Sequence, residues 1–376
     1  MKKPELITRG DLPNEGFADS HDATTLLDSI EEQIEELFLI RNPRFKFDPN
    51  YKDELAAFAQ TLTNGNKTQY GNWFFFPWNK TIAHFLPEAE WFELRTARNK
   101  DLITDVEQQK FSNMTIGIAG LSVGSHIALT IAMMGGAKRM VLADPDVVGP
   151  SNLNRVRADA LAIGENKAII AARAIYQSNP YAELLVLIEG VEENNMAKFF
   201  DTMPIDLLIE ETDKLSLKIG LREEARKRKI PVIMGPDNGD GIIVDVERYD
   251  LHPELQLFNG VIGDITMETF KNFPPEELPK LATRIAGAEF AEPRMKDSIL
   301  CVGKTIYSWP QLGDAATLCG VTLAYVARRI ANGMPTREGK YAVNLDAILD
   351  PEYLNRDTIK AREEHHNRFM KTIGLA

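Results

Sequence analysis

The chain has 376 residues, 44% of them hydrophobic and 26% charged, and a formal net charge of −12. That length allows a large core and two or three structural units, and the acidic balance opposes broad attraction to nucleic acid while leaving room for a local basic pocket. Two cysteines, Cys301 and Cys319, exclude a disulfide framework and a four-cysteine zinc site; with no apolar run long enough for a bilayer and a polar start, Met1-Lys-Lys-Pro-Glu5, a cytoplasmic protein is expected.

Residues 1 to about 20 read as a polar, mobile arm. Asp22 to Ile40 carries Leu26, Leu27, Ile30, Ile34 and Leu37 at helical spacing and predicts an amphipathic helix, ended by Asn42-Pro43. Residues 53–62 predict a second short helix. Trp73-Phe-Phe-Phe-Pro-Trp78 reads as a strand or core plug. From Met114 the pattern changes to alternating strands and helices. Strands are predicted at Thr115–Ala119, Arg139–Ala143, Leu184–Ile188, Asp206–Glu210 and Pro231–Met234. Helices are predicted at about Ser125–Met134, Lys167–Gln177, Met196–Phe200 and Leu215–Arg228. That order implies an α/β fold: a doubly wound, mostly parallel, Rossmann-like sheet with an N-terminal α/β extension and a C-terminal helical and loop region. A further strand is expected near Ile242–Val246, short helices over 250–298, and a long apolar helix over Asp314–Ala331, before a charged tail. The domain reading is 1–94, a mostly helical extension with the aromatic segment; 95–335, the nucleotide-binding domain; and 336–376, the tail.

Ligands on such sheets bind beyond the carboxyl ends of the strands. The polar motifs of this chain fall there. Gly117-Ile-Ala-Gly120-Leu-Ser122-Val-Gly124-Ser125 does not fit Gly-x-Gly-x-x-Gly from either starting glycine. A strand, a glycine turn and a helix N-terminus still make a phosphate cradle, since free N–H groups point outward. The next strand ends in Ala143-Asp144-Pro-Asp146-Val-Val-Gly-Pro-Ser151-Asn152-Leu-Asn-Arg155. An acid there suits ribose hydroxyls, and an arginine can neutralise phosphate oxygens. Asp144 would serve a nicotinamide dinucleotide or a helix cap as well.

Taken in order, Gly120, Asp144-x-Asp146, Ser151-Asn152-Leu153-x-Arg155, Gly164-x-x-Lys167, Asn179-Pro180 and Thr212-Asp213 resemble the ThiF/MoeB/HesA family, the fold of ubiquitin-activating enzymes and their bacterial relatives. The resemblance covers roughly 95–250 and continues faintly to about 335. It implies adenylylation of a carboxylate by ATP, usually at the C-terminus of a small protein. By matching position Gly120, Ser122 and Gly124 form the phosphate turn, with Asp146 beside it. Asp144 would bind the ribose, Asn152 and Arg155 the phosphates, Lys167 would steady them, and Asp213 would hold Mg²⁺. Asp213 would equally cap the helix from Leu215. Arg98 matches an arginine donated across a homodimer interface, with Arg95 a rival for that place. The implied partners are ATP and a carboxylate, in one form a small carrier protein with a Gly-Gly tail.

The chain departs from the family pattern in its glycine-poor turn, in Val156 after Arg155 and in Lys214 after Asp213. It has no Cys-x-x-Cys pairs for zinc, so no zinc is expected. No cysteine lies in 235–300, and Cys301 sits in an apolar run typical of an inert thiol. The expected enzyme therefore lacks an internal thioester cysteine. A non-catalytic binding subunit and an NAD(P)-linked oxidoreductase remain as alternatives, as does activation of a small molecule or a modified tRNA base. His365-His366 reads as a solvated helix face, and Trp309-Pro-Gln-Leu312 as a packing element.

Overall fold

The computed structural model describes residues 1–7 and 22–375; most of the arm expected at 1 to about 20 lies outside the described residues. The chain divides into two compact units, Met1–Gln109 with Ile175–Ala182, and Lys110–Ala174 with Glu183–Ala376. Among the described residues the first unit holds a four-stranded sheet in the order β1-β3-β4-β2, from β1 (Glu5–Ile7), β2 (Thr25–Asp28), β3 (Asn72–Phe76) and β4 (Thr81–Phe85). The aromatic run forms β3, where Trp73 is buried and stacks on His84 with ring centroids 4.1 Å apart. The helix Ile30–Arg41 buries Ile30, Ile34 and Leu37 against Ala59 and Leu86.

The expected helix over Asp22–Ile40 is half right. Residues Thr25–Asp28 form β2 and pair in parallel with β4, leaving Leu26 and Leu27 48% and 53% exposed. Asp28 accounts for the break: its Oδ1 accepts from Ile30 N (3.2 Å), satisfying a free N–H at the true helix start.

The second unit carries the alternating pattern. Its strands are β5 (Thr115–Ala119), β6 (Arg139–Ala143), β7 (Glu183–Leu187), β8 (Leu207–Glu210), β9 (Val232–Met234), β10 (Asp237–Asn238), β11 (Gly241–Glu247) and β12 (Gly339–Val343). They form one sheet in the order β10-β11-β9-β8-β5-β6-β7, with β12 also pairing β11. From β7 to β9 all pairs are parallel; β10, β11 and β12 are antiparallel additions. Parallel strands covered on both faces need continuous apolar sequence. Ile116, Ile118, Met140, Val141, Leu142, Leu207, Leu208 and Ile209 are fully buried.

The strand order reverses at β5, between β6 and β8. Register aligns Ala119 with Ala143 and with Glu210. The residues that follow, Gly120, Asp144 and Glu211, therefore emerge together at the switch point where such sheets open a crevice.

The long helix Gly313–Ala331 packs on the helix Gly124–Met133 at very short range: a Cβ on Gly320 would stand 2.8 Å from His126 Cβ. The last forty residues are not all periphery, since β12 joins the main sheet and Phe369 is buried. Trp309 is 56% exposed and does not pack as expected; the working member of that motif is Gln311, whose Nε2 donates to Asp237 Oδ2 (3.2 Å). No helix among the described residues is long and apolar enough to cross a membrane.

Candidate functional site

The glycine turn is held by both of its neighbours. Gly120 has φ +92°, and a Cβ there would lie 2.3 Å from Glu211 O. Only glycine lets the turn seat on the Glu211–Thr212 backbone. Gly120 N donates to Ala143 O (2.9 Å). Gly124 opens the following helix, Gly124–Met133, so its first N–H groups face the crevice end of the sheet. The Ser122 hydroxyl is buried with no hydrogen-bond partner among the described residues.

Asp144 ties the turn to the next loop. Its Oδ2 accepts from Leu121 N (2.5 Å) and its Oδ1 from Asp146 N (2.8 Å), and only 4% of the residue is exposed. Burial raises its pKa, against the pull of the Leu121 N–H and of Lys167. Each oxygen keeps a second lone pair, so a ribose hydroxyl can still be accepted. The loop 144–148 is clamped on 164–167. Asn166 Nδ2 donates to Asp144 O (2.8 Å), Lys167 N to Asp146 O (2.9 Å), and Lys167 Nζ to Asp146 Oδ2 (2.9 Å). Lys167 is thus a buried cation at the start of the helix Lys167–Ser178, facing an exposed acid.

Asn152 caps its own turn, its Oδ1 accepting from Gly149 N (2.9 Å). Arg155 Nη1 donates to Ser151 O (3.2 Å) and to Asn154 Oδ1 (2.9 Å), while its Nε is buried with no partner among the described residues. Asp213 is exposed, and the N-cap of the helix Leu215–Lys227 is Lys214, so capping is not the job of Asp213. Gly120, Ser122, Gly124, Asp144, Asp146, Asn152, Arg155, Lys167 and Asp213 all belong to the second unit; Arg98 lies in the 3-10 turn Ala97–Asn99 of the first, near a half-buried Arg95 whose pKa is lowered by desolvation.

Three groups escaped the sequence reading. His126, on the helix after the glycine turn, fixes the backbone of Arg155. Its Nδ1 accepts from Arg157 Nε (3.2 Å), so its Nε2–H donates to Arg155 O (2.5 Å). Burial lowers its pKa and keeps this tautomer neutral. Asp237 is connected to Arg155 by a chain of contacts: Arg155 to Asn154, Asn154 Nδ2 to Gln311 O (2.7 Å), and Gln311 Nε2 to Asp237 Oδ2. Asp237 is 9% exposed, its Oδ1 has no partner among the described residues, and burial pushes its pKa up to about 6. Glu210 and Arg222 lie beneath Asp213. Glu210 Oε1 accepts from Thr212 N (2.8 Å) and Thr212 Oγ1 (2.6 Å), and its Oε2 from Arg222 Nη1 (2.6 Å). The sequence signal available was the charge-rich helix Leu215–Lys227, whose buried face no periodicity rule reveals.

Cys319 is buried and donates its thiol to Gly235 O (3.0 Å); burial raises its pKa well above the usual range, as suits an inert core thiol. Cys301 ends the helix Pro293–Cys301 and is half-buried. Among the described residues no three His, Cys, Asp or Glu side chains are grouped as a metal cage.

Residues 95–253 match the model of the ThiF family. The chain is 32% identical over 335 residues to the uncharacterized protein MT1398 of Mycobacterium tuberculosis, spanning 88% of this chain and 45% of that one. It is 32% identical over 146 residues to the tRNA threonylcarbamoyladenosine dehydratase of Bacillus subtilis, spanning 38% and 57%. The chain thus covers about half the length of these curated relatives. Among solved structures, the E. coli tRNA N6-threonylcarbamoyladenosine dehydratase TcdA in complex with ATP superimposes with TM-score 0.46 at 20% identity, over 64% of this chain and 95% of that one. Over residues 95–253, the chain is similar to the ThiF family.

Proposed function

We propose that this chain uses ATP and Mg²⁺ to adenylylate a carboxylate, releasing pyrophosphate, without an internal thioester cysteine. The observation that carries the reading is the convergence, on one switch point, of a glycine turn, a ribose-type acid, two cations and a free carboxylate. The match of residues 95–253 to the ThiF family model supports it.

In this reading the turn at Gly120–Gly124 receives phosphate oxygens on backbone N–H groups. Ser122 Oγ and Arg155 Nε, buried and unpaired, gain partners when those oxygens arrive; unpaired buried donors are costly otherwise. The substrate carboxylate forms a bond to the α-phosphorus, the bond to pyrophosphate breaks, and pyrophosphate leaves with the electron pair. Two anions must approach, so Arg155 and Lys167 spread the developing charge. His126 fixes the Arg155 backbone, and Asp146 orients Lys167. Asp213, exposed and free of a capping role, fits a Mg²⁺ ion, which is commonly held by one or two carboxylates together with phosphates. When bound, that ion supplies charge neutralisation at the phosphates. Arg98 acts in trans within a homodimer in this scheme, in the cytoplasm.

The dehydratase relative favours a second reading of the substrate: a carboxylate borne on a modified nucleoside rather than a protein tail. ATP–pyrophosphate exchange tests the whole proposal. It is run with a peptide ending in Gly-Gly and with a carboxylated nucleoside. Exchange with either, lost in Arg155→Ala and Asp213→Ala, supports the reading and selects the substrate. Nucleotide binding by calorimetry that these two changes leave untouched would remove the site assignment, and tight NAD binding in place of ATP would replace it with a dehydrogenase.

A further inference from the structure

A cavity of about 490 Å³ lies between the helix Pro293–Cys301 and the helix Arg356–Thr372. Its wall is fastened to β10. Asn238 Nδ2 donates to Phe290 O (3.0 Å), and Asn238 Oδ1 accepts from Glu292 N (2.8 Å). Lys296 lines this cavity and is only 4% exposed. Its ammonium makes no hydrogen bond or ion pair with any described residue. His366, expected on a solvated face, lines the same cavity, and its Nδ1 is buried with no partner among the described residues.

Partly desolvating an ammonium without a bonded partner is costly, and a framework residue would be paired or replaced by an apolar one. Glu292 and Glu289 act on Lys296 only through longer-range attraction, and neither is bonded to its ammonium. Glu289 and Glu363 are exposed, where solvent screens them. Glu292 Oε1 is occupied by Asn344 Nδ2 and by the Tyr353 hydroxyl (3.4 Å). Arg362 is also engaged, donating to Tyr353 O (2.7 Å) and lying 3.7 Å over the Tyr353 ring. The cavity thus presents the Lys296 ammonium and the His366 imidazole beside the apolar surfaces of Phe290 and Ile359, with Glu292 held back by Asn344 and Tyr353.

We propose that this cavity is a second binding site, for a small carboxylic acid whose carboxylate meets Lys296 and His366 and whose apolar body rests on Phe290 and Ile359. The site is independent of the nucleotide crevice. Burial lowers the pKa of Lys296, and a bound carboxylate offsets that shift.

Calorimetric titration of the full chain with hexanoate, inorganic phosphate and n-butylamine tests it. Hexanoate is expected to bind at one site, more tightly than phosphate, and n-butylamine to give no heat. Lys296→Met is expected to weaken hexanoate at least 10-fold while raising the melting temperature, because a partly desolvated charge without a bonded partner is removed. Hexanoate affinity unchanged in that variant, no binding of hexanoate at all, or preferred binding of n-butylamine would each overturn the proposal. Phosphate binding better than hexanoate would remove the apolar half of it. A lower melting temperature in Lys296→Met would assign the lysine to the framework instead.

Discussion

Two charged regions of the second unit stand side by side and are built on opposite principles. Under β8 and β11, Arg222 is fully buried. It donates to Glu210 Oε2 and to Glu247 Oε2 (both 2.6 Å) and lies 3.8 Å over the Phe258 ring. Glu247 Oε1 accepts from the Tyr249 hydroxyl and from Phe258 N (2.6 Å). Burial alone would raise the pKa of Glu210, but Lys218 and Arg222 outweigh it and hold it down to about 2. Above the strand ends, by contrast, Ser122 Oγ, Arg155 Nε and Asp237 Oδ1 are buried and unpaired. A charge whose hydrogen bonds are all met within the chain holds the chain together. A buried polar atom left unmet is an atom that a ligand can satisfy.

That contrast is open to direct attack. Arg222→Met leaves Glu210 with Lys218 alone and takes the arginine from the buried Glu247, and should cost about 3–5 kcal/mol, read in urea or thermal unfolding. A loss below about 1 kcal/mol would mean the network is not framework. Arg155→Ala should do the reverse: exchange activity falls about 10²–10³-fold, as for removal of a donor to developing charge, with stability unchanged within about 0.5–1 kcal/mol. Equal loss of stability in both variants would erase the distinction.

Two smaller effects sharpen it by pH. Burial, aided by Glu210 and opposed by Lys218, pushes Glu211 up to about 8. A raised carboxyl contributes stability that is present in full below its unfolded value and is lost as pH rises through about 8. Glu211→Gln should therefore flatten the decline in unfolding free energy between pH 6 and 9, by about 1–2 kcal/mol at the upper end. His126 is shifted the other way, below its ordinary value, by burial. Its contribution is present above its unfolded pKa and is lost as pH falls below about 6.5. His126→Gln should lessen the slope of stability between pH 5 and 6.5 by less than about 1 kcal/mol, and a steeper slope would contradict the neutral tautomer.

Much of the second unit was legible because its signals are local. Short apolar runs such as Met140–Ala143 can be buried on both faces only in a covered sheet, and they are β6 and its neighbours. Strand, turn and helix in alternation then put Gly120, Asp144 and Asp213 at one edge. The first unit was less legible. Leu26 and Leu27 fit a helical stripe as well as a strand, and the choice was made by main-chain pairing with Thr81–His84, more than fifty residues later. Trp309 looked like a packing residue because it is large and precedes a helix, yet its neighbour Gln311 makes the contact that matters.

The sequence by itself determined the alternation of strands and helices, the order of the motifs and the chemistry available at each, because these depend on residue type and short spacing. Only the tertiary structure decided which charges are spent and which are free. Asp144 is tied to Leu121 N, Lys167 to Asp146 and Arg222 to two acids, while Asp237 Oδ1 is buried with no partner among the described residues and Lys296 is buried without an ion pair to any of them. The physical reason is that the energetic state of a charge depends on desolvation and on partners brought from distant parts of the chain, and neither is written in the spacing of residues along it.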